Sequence, residues 1–134
     1  MLGASGGAGL AILRELISQN KNVIGVNSSG KAVTGVNTQF IKADATDLAQ
    51  LQQACLGASF IYNALNITYQ QWVKVLPIFT KNIIQVASET QAKLIYVDNL
   101  YAYGPVNGPM TEDTPQVATD VKGNLRAEFW QTNT

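Results

Sequence analysis

The segment Gly3-Ala4-Ser5-Gly6-Gly7-Ala8-Gly9 near the N-terminus has the residue types and the spacing of a loop that holds phosphate groups. In such a G-x-x-G-x-x-G pattern the first glycine permits a tight turn, the second lets the backbone approach a pyrophosphate, and the third allows a helix to pack closely on a strand. The apolar residues that follow predict a helix whose N-terminal amides and dipole point at this loop. Gly3, Gly6 and Gly9 are therefore candidate dinucleotide-binding residues, with a tight turn that holds no ligand as the alternative.

A second candidate segment, Asn27-Ser28-Ser29-Gly30-Lys31, lies where a residue that selects between NAD and NADP is expected, about 20 residues beyond the loop. This segment has no carboxylate to hold the 2′-hydroxyl of NAD. The hydroxyls of Ser28 and Ser29 and the ammonium group of Lys31, next to Asn27, are instead suited to a 2′-phosphate. We therefore expect NADP to be favoured over NAD, with a solvated turn that has no binding role as the alternative.

Several kinds of chemistry are excluded by the residues that the chain lacks. The sequence contains no histidine and only one cysteine, Cys55. Imidazole acid–base catalysis, Ser-His triads and metal sites built from histidine or paired cysteines are therefore not available. Cys55 falls on a predicted apolar helix face, where a buried thiol that serves packing is expected.

The charge balance and hydropathy restrict the partners and the location of the protein. Nine basic residues match nine acidic ones, so there is no basic surplus for nucleic acid or for a membrane surface. The N-terminus has no basic stretch followed by an uninterrupted apolar run, and no window reaches about 18 apolar residues. We expect a cytoplasmic protein that consists of a single domain over residues 1–134.

The elements that must position these residues follow from apolar periodicity. The pattern predicts helices over residues 8–19, 44–56, 72–90 and 120–131, and strands over 22–27, 40–43, 59–65 and 93–98. Residues 104–115 contain three prolines and two glycines and are predicted to be a loop. Strands that alternate with helices in this way predict an α/β fold with a doubly wound, mostly parallel sheet.

Several stretches of the sequence resemble the extended and atypical short-chain dehydrogenase/reductases, the family of NAD-dependent epimerases and dehydratases. The matching stretches occur in the right order over almost the whole chain and are GASGGAG, KADATDL, FIYNALN, LIYVDNLYAYGP and GPMTEDTP. The resemblance implies a Rossmann-like NAD(P)-binding fold. It places Ser5, Gly6, Gly7 and Ala8 along the pyrophosphate, Asp44 and Ala45 at the adenine, and Ala64, Leu65 and Asn66 on the nicotinamide side.

Catalysis in the family that the chain resembles uses a tyrosine whose pKa is lowered by a lysine four residues later. Here none of the five tyrosines is followed by a lysine at that spacing. The matching stretch, TDVKGNLRAE, offers Lys122 and Arg126 in one alignment and Asp120 and Asn124 in another. In that family a serine or threonine on the fifth strand shares the hydrogen bond of the tyrosine, and the residue at this position here is Asn99. An arginine does not give up its proton near neutral pH, and a lysine must be desolvated to act as a base.

A further candidate acid is Tyr103, in the AYGP turn. The resemblance thus predicts an NAD(P)-binding domain of an epimerase/dehydratase-like oxidoreductase without the standard Tyr/Lys chemistry in this chain. The alternatives are a non-catalytic dinucleotide-binding or redox-sensing module, and a structural remnant without activity. The substrate of an active form is expected to be a nucleotide sugar or another small hydroxy or carbonyl compound.

Only Met1 and Leu2 precede the glycine loop, although the strand that leads into such a loop is central in a doubly wound sheet. We expect the sheet either to split there, to close with only these two residues bridging the gap, or to borrow a strand from another chain. Self-association is the preferred expectation because unpaired strand edges attract other strands. The resemblance further implies that a C-terminal substrate region lies outside this sequence.

Overall fold

The computed structural model describes residues 1–133, which contain four helices and four strands in the order α1, β1, β2, α2, β3, α3, β4, α4. The helices are α1 (Gly7–Ser18), α2 (Leu48–Ala54), α3 (Trp72–Thr90) and α4 (Val121–Asn133), and the strands are β1 (Gly25–Asn27), β2 (Phe40–Lys42), β3 (Phe60–Asn63) and β4 (Lys93–Tyr96). Two short 3-10 segments, Tyr69–Gln71 and Leu100–Tyr103, precede α3 and follow β4. Within residues 1–133, no helix combines the length and the apolar character needed to cross a membrane.

The strands form two parallel pairs, β1 with β2 and β3 with β4. Leu2 forms a parallel bridge to Val26 on one side and to Asn63 on the other. The Leu2 amide donates to the Tyr62 carbonyl at 2.8 Å, and the Ala64 amide donates to the Leu2 carbonyl at 3.1 Å. The two pairs are therefore joined in the order β2, β1, Leu2, β3, β4, which is the second of the three arrangements expected from the sequence.

Helices cover both faces of this sheet, as a doubly wound fold requires. On one face a cluster of buried apolar side chains joins α2, α3 and α4 to the sheet, with Leu51, Ile83 and Phe129 among its members. On the other face Leu13 of α1 packs with Met1 and Ala4 in a smaller cluster. The predicted α/β fold with a parallel sheet is confirmed.

Helices α1, α3 and α4 agree with the periodicity to within two residues at each end, whereas α2 and all four strands are shorter than predicted. Strand β1 begins at Gly25 rather than at residue 22, because the Gly25 amide is the first to bond across to the Gln39 carbonyl. Helix α2 begins at Leu48 rather than at residue 44, because the Asp47 side chain accepts a hydrogen bond from the Gln50 amide at 3.1 Å and caps the helix.

Cys55 follows α2 and is buried in the larger apolar cluster, with 5% of its surface exposed. Burial raises the pKa of its thiol, which opposes formation of the reactive thiolate. The structure therefore confirms the predicted burial of this thiol.

Candidate functional site

The glycine loop is a tight turn whose first and last glycines have no room for a side chain. Gly3 has φ +75°, and a Cβ atom on it would lie 2.7 Å from the carbonyl oxygen of Ala64. A Cβ atom on Gly9 would overlap the carbonyl oxygen of Gly3. Gly9 thus lets α1 pack directly on the turn, and Gly3 lets the turn pass against the end of β3.

The middle of the loop is open instead. A Cβ atom on Gly6 would meet only the Gly3 carbonyl oxygen, at 3.5 Å, and one on Gly7 would meet nothing within 4 Å. The amides of Gly7, Ala8 and Gly9 start α1 and therefore have no acceptor within the helix. No other acceptor for them occurs in the part of the chain that the structure describes, and no side chain caps α1. Free donors beside open space suit a pyrophosphate.

The Asn27 side chain, 7% exposed at the end of β1, connects this loop to the next one. Its Nδ2 atom donates to Ser5 Oγ at 2.7 Å and to the Lys31 carbonyl at 3.0 Å. Its Oδ1 atom accepts from Ser29 Oγ at 3.1 Å and from the Gly30 amide at 2.6 Å. Both donors and both acceptor positions of this amide are therefore used within the protein.

The remaining residues of the 27–31 turn differ in their freedom to bind a ligand. Ser29 Oγ donates to Asn27 and accepts from the Lys31 amide at 3.2 Å. Ser28 and the Lys31 side chain are exposed and form no side-chain hydrogen bond within residues 1–133. Ser28 and Lys31 are thus the candidates in this turn that remain free to contact a ligand.

Asp44 and Ala45 follow β2 and are held by local hydrogen bonds. Asp44 Oδ1 accepts from the Thr46 amide at 2.8 Å and from Thr46 Oγ1 at 2.7 Å. These bonds lower the pKa of the Asp44 carboxyl below its ordinary value. The Ala45 carbonyl accepts from Asn82 Nδ2 at 3.0 Å.

Ala64, Leu65 and Asn66 follow β3, beside the glycine loop. The Leu65 amide donates to Asn63 Oδ1 at 3.0 Å, and Asn63 is 1% exposed. Asn63 positions this segment but was not identified from the sequence; its only signal was a polar residue at the end of an apolar strand. The predicted cofactor-binding residues thus all lie at or just after the C-terminal ends of the parallel strands.

Two of the predicted catalytic residues, Lys122 and Arg126, pack on aromatic rings. We call Tyr69, Trp72, Tyr101, Lys122 and Arg126 the aromatic–cation cluster. Lys122 Nζ lies 2.8 Å from the centre of the Tyr69 ring, and Arg126 Cζ lies 4.4 Å from that of Trp72. The three rings have centroids 5.2 to 6.2 Å apart, so they form a packed group.

Arg126 is 3% exposed and is held by polar partners at the end of β4. Its Nη1 atom lies 3.0 Å from Asp98 Oδ1 and donates to the Tyr96 hydroxyl at 3.3 Å. Burial raises the pKa of Tyr96, against the opposing effect of the Arg126 guanidinium. These bonds hold the Arg126 guanidinium in an ion pair, in which it stays protonated and does not act as a base.

The other candidate catalytic residues are engaged mainly in local structure. Asn99 Oδ1 accepts from the Tyr101 amide at 3.1 Å and starts the second 3-10 segment, which ends at the half-buried Tyr103. In the alternative alignment, Asp120 Oδ1 accepts from the Lys122 amide at 3.0 Å, and Asn124 Nδ2 donates to the Thr119 carbonyl at 3.4 Å. Neither alignment brings a tyrosine hydroxyl to within hydrogen-bond distance of a lysine in residues 1–133.

One protein family matches nearly the whole chain. A family model described as NAD(P)H-binding matches residues 3–128. No curated protein matches the sequence at a significant level. The matched range begins at the first glycine of the loop and ends inside α4, so it contains every candidate residue described above.

Several solved structures of similar fold contain NAD. A short-chain dehydrogenase/reductase superfamily protein from Agrobacterium tumefaciens with bound NAD is 18% identical, with a TM-score of 0.78 over 97% of this chain and 42% of that chain. The Bordetella bronchiseptica enzyme WbmG in complex with NAD and UDP is 16% identical, with a TM-score of 0.78 over 97% and 46%. The dTDP-glucose 4,6-dehydratase from Bacillus anthracis in complex with NAD is 16% identical, with a TM-score of 0.79 over 98% and 47%. The chain therefore spans less than half the length of these three proteins, and at these identities the likeness concerns the fold.

Proposed function

Because this chain belongs to the NAD(P)H-binding family, we propose that its glycine loop and the strand ends around it bind a nicotinamide dinucleotide within an epimerase/dehydratase-like oxidoreductase. The expected resemblance to short-chain dehydrogenase/reductases is confirmed by the family match and by the shared fold. The observation that carries the proposal is the loop itself, where the free amides of Gly7, Ala8 and Gly9 lie beside open space at Gly6.

The protein's part in this proposal is to hold the two halves of the cofactor. The Gly6–Gly9 backbone binds the pyrophosphate, Asp44 and Ala45 lie at the adenine, and Ala64, Leu65 and Asn66 lie on the nicotinamide side. When bound, the cofactor supplies hydride transfer. NADP is the preferred form, since the 27–31 turn offers Ser28 and Lys31 and no carboxylate.

The chemical step of the standard family reaction is not proposed for this chain. The buried ion pair of Arg126 and the stacking of Lys122 on Tyr69 leave no acid–base pair at the position of the family's tyrosine and lysine. This observation favours a second candidate, a non-catalytic dinucleotide-binding or redox-sensing module. In either case a nucleotide sugar is the proposed class of substrate or second ligand, as in the solved structure of MoeE5, a protein of similar fold, in complex with UDP-glucose and NAD.

The test is a titration of the protein with NADH and with NADPH, in which binding is measured by cofactor fluorescence and by calorimetry. We expect saturable binding of both cofactors, with NADPH bound more tightly because a 2′-phosphate gains charge-assisted contacts. Turnover with nucleotide sugars in the same preparation would support the oxidoreductase, whereas binding without turnover would favour the sensing module. Absence of saturable binding of either cofactor up to millimolar concentration would contradict both candidates. The remaining alternative would then be a structural remnant without activity.

We also propose that the chain self-associates, through the outer face of α3. A groove of about 530 Å³ lies along this face, next to Phe129. Ile78, the residue after Pro77 of the groove lining, is 47% exposed. Lys81 and Glu89 line the groove about two helical turns apart, so two antiparallel copies would bring each lysine opposite the other's glutamate.

Sedimentation velocity over a range of concentrations tests this interface. We expect a rising sedimentation coefficient for the unmodified protein and at least about tenfold weaker association for Ile78→Lys, which places a charge in the apolar contact. Leu56→Lys is the matched control, since Leu56 is 78% exposed and follows α2 instead of lying on α3. A monomer at every concentration would contradict self-association.

A further inference from the structure

The end of β2 contains a lysine that faces the same turn as Ser28 and Lys31. Lys42 is the register partner of Asn27 in the β1–β2 pair. A Cβ atom on Gly30 would lie 2.8 Å from the Cβ atom of Lys42. The 27–31 turn therefore packs directly against the stem of Lys42.

Asn27 cannot itself select the group on the adenosine ribose. Its amide already forms four hydrogen bonds inside the protein, two of them to Ser5 and the Lys31 carbonyl. Ser29 is likewise engaged at its hydroxyl. A ribose substituent that reaches this turn must therefore contact residues other than Asn27 and Ser29.

Lys42 has the properties that such a contact needs. Its side chain is exposed, and within residues 1–133 neither Lys42 nor Lys31 takes part in an ion pair. The nearest acid in the sequence, Asp44, already accepts two hydrogen bonds from Thr46. Lys31 in the turn and Lys42 packed against it thus present unpaired positive charge near the exposed hydroxyl of Ser28.

We propose that Lys42 is a specificity-determining residue that, with Lys31 and Ser28, binds a phosphomonoester on the 2′-position of the adenosine ribose. Asn27 is the positioning residue that holds this turn against Ser5 of the glycine loop. The inference rests on the proposed dinucleotide function and adds to it a residue on β2 that sets the choice between NADP and NAD.

The experiment compares Lys42→Gln with Lys93→Gln in titrations with NADPH and NADH. Lys93 is also an exposed lysine on a strand, but it begins β4, at the opposite end of the sheet. We expect Lys42→Gln to weaken NADPH binding about tenfold, the effect of one charge-assisted contact, and to leave NADH binding within about twofold. Lys93→Gln should change neither. The loss for NADPH should shrink at high salt, since screening weakens the contact in the unmodified protein.

The outcomes separate this inference from the function on which it rests. If both dinucleotides bind but Lys42→Gln leaves the ratio of their affinities unchanged, the role of Lys42 is wrong and the dinucleotide site stands. An equal loss for both cofactors would also overturn the role, because Lys42 would then act on a part that they share. If the unmodified protein binds neither, the proposed function fails and this inference fails with it. Circular dichroism of each variant shows that the fold is retained.

Discussion

Gly6→Val is expected to weaken dinucleotide binding about 100-fold, the loss of several charge-assisted contacts to backbone amides. Gly6 has φ −78° and ψ 163°, an extended conformation that valine adopts readily. Its Cβ would meet only the Gly3 carbonyl oxygen, at 3.5 Å. The fold can therefore accept the side chain, whereas the space for the pyrophosphate cannot. Calorimetric titration with NADPH measures the effect, and thermal unfolding measures stability separately.

The control is Ala11→Val, which adds the same branched side chain to an exposed position of α1. This variant should bind the cofactor as the unmodified protein does. Gly9→Ala is expected to lower the stability of the fold, because the new Cβ would overlap the Gly3 carbonyl oxygen. In this variant thermal unfolding, rather than cofactor affinity, should show the main effect. Unchanged affinity in Gly6→Val would show that the pyrophosphate does not lie at this loop.

Arg126→Met is expected to lower the free energy of unfolding by about 3 kcal/mol, the scale for breaking a buried ion pair by removing one partner. The change leaves the Asp98 carboxylate, whose side chain is 23% exposed, without its cation. It also removes the guanidinium that stacks on Trp72 and donates to Tyr96. Urea unfolding at neutral pH measures the difference.

Two further variants distinguish a structural Arg126 from a catalytic one. The double variant Asp98→Asn with Arg126→Met should lose less stability than the sum of the two single changes, because the pair is then removed together. Lys122→Met should cost no more than about 1 kcal/mol, the scale of a cation–π contact near the surface. Unfolding of Arg126→Met at the same urea concentration as the unmodified protein would contradict the structural role.

Local patterns were sufficient to predict the elements of this fold. The helix over 72–90 agrees with the observed Trp72–Thr90, and the predicted strands coincide with the cores of β1 to β4. Apolar periodicity depends on neighbouring residues along the chain, so it predicts helices and strands without knowledge of the tertiary contacts. The boundaries of β1 and α2 were less accurate, since a cross-strand bond at Gly25 and a cap at Asp47 decide them.

The candidate site was predicted only in part, because some of its residues belong to a local motif and others meet only in the tertiary structure. The glycine loop is a local motif, and the positions of Gly3 and Gly9 follow from steric limits on single residues. Lys42 was not identified, because nothing in the sequence relates it to Gly30, and only the pairing of β1 with β2 brings them together. The burial of Arg126 on Trp72 was also not foreseen, since it requires α4 to pack over the start of α3.

The sequence by itself thus determined the α/β alternation, the phosphate-type loop and the absence of a Tyr/Lys pair, all of which depend on residue type and short-range spacing. The tertiary structure alone decided how Leu2 joins the two strand pairs, which side chains of the 27–31 turn remain free, and that Arg126 is paired with Asp98. Each of these depends on atoms from distant segments meeting within a few ångströms. Such contacts are set by how the helices and strands pack against one another, and no local pattern of residues specifies them.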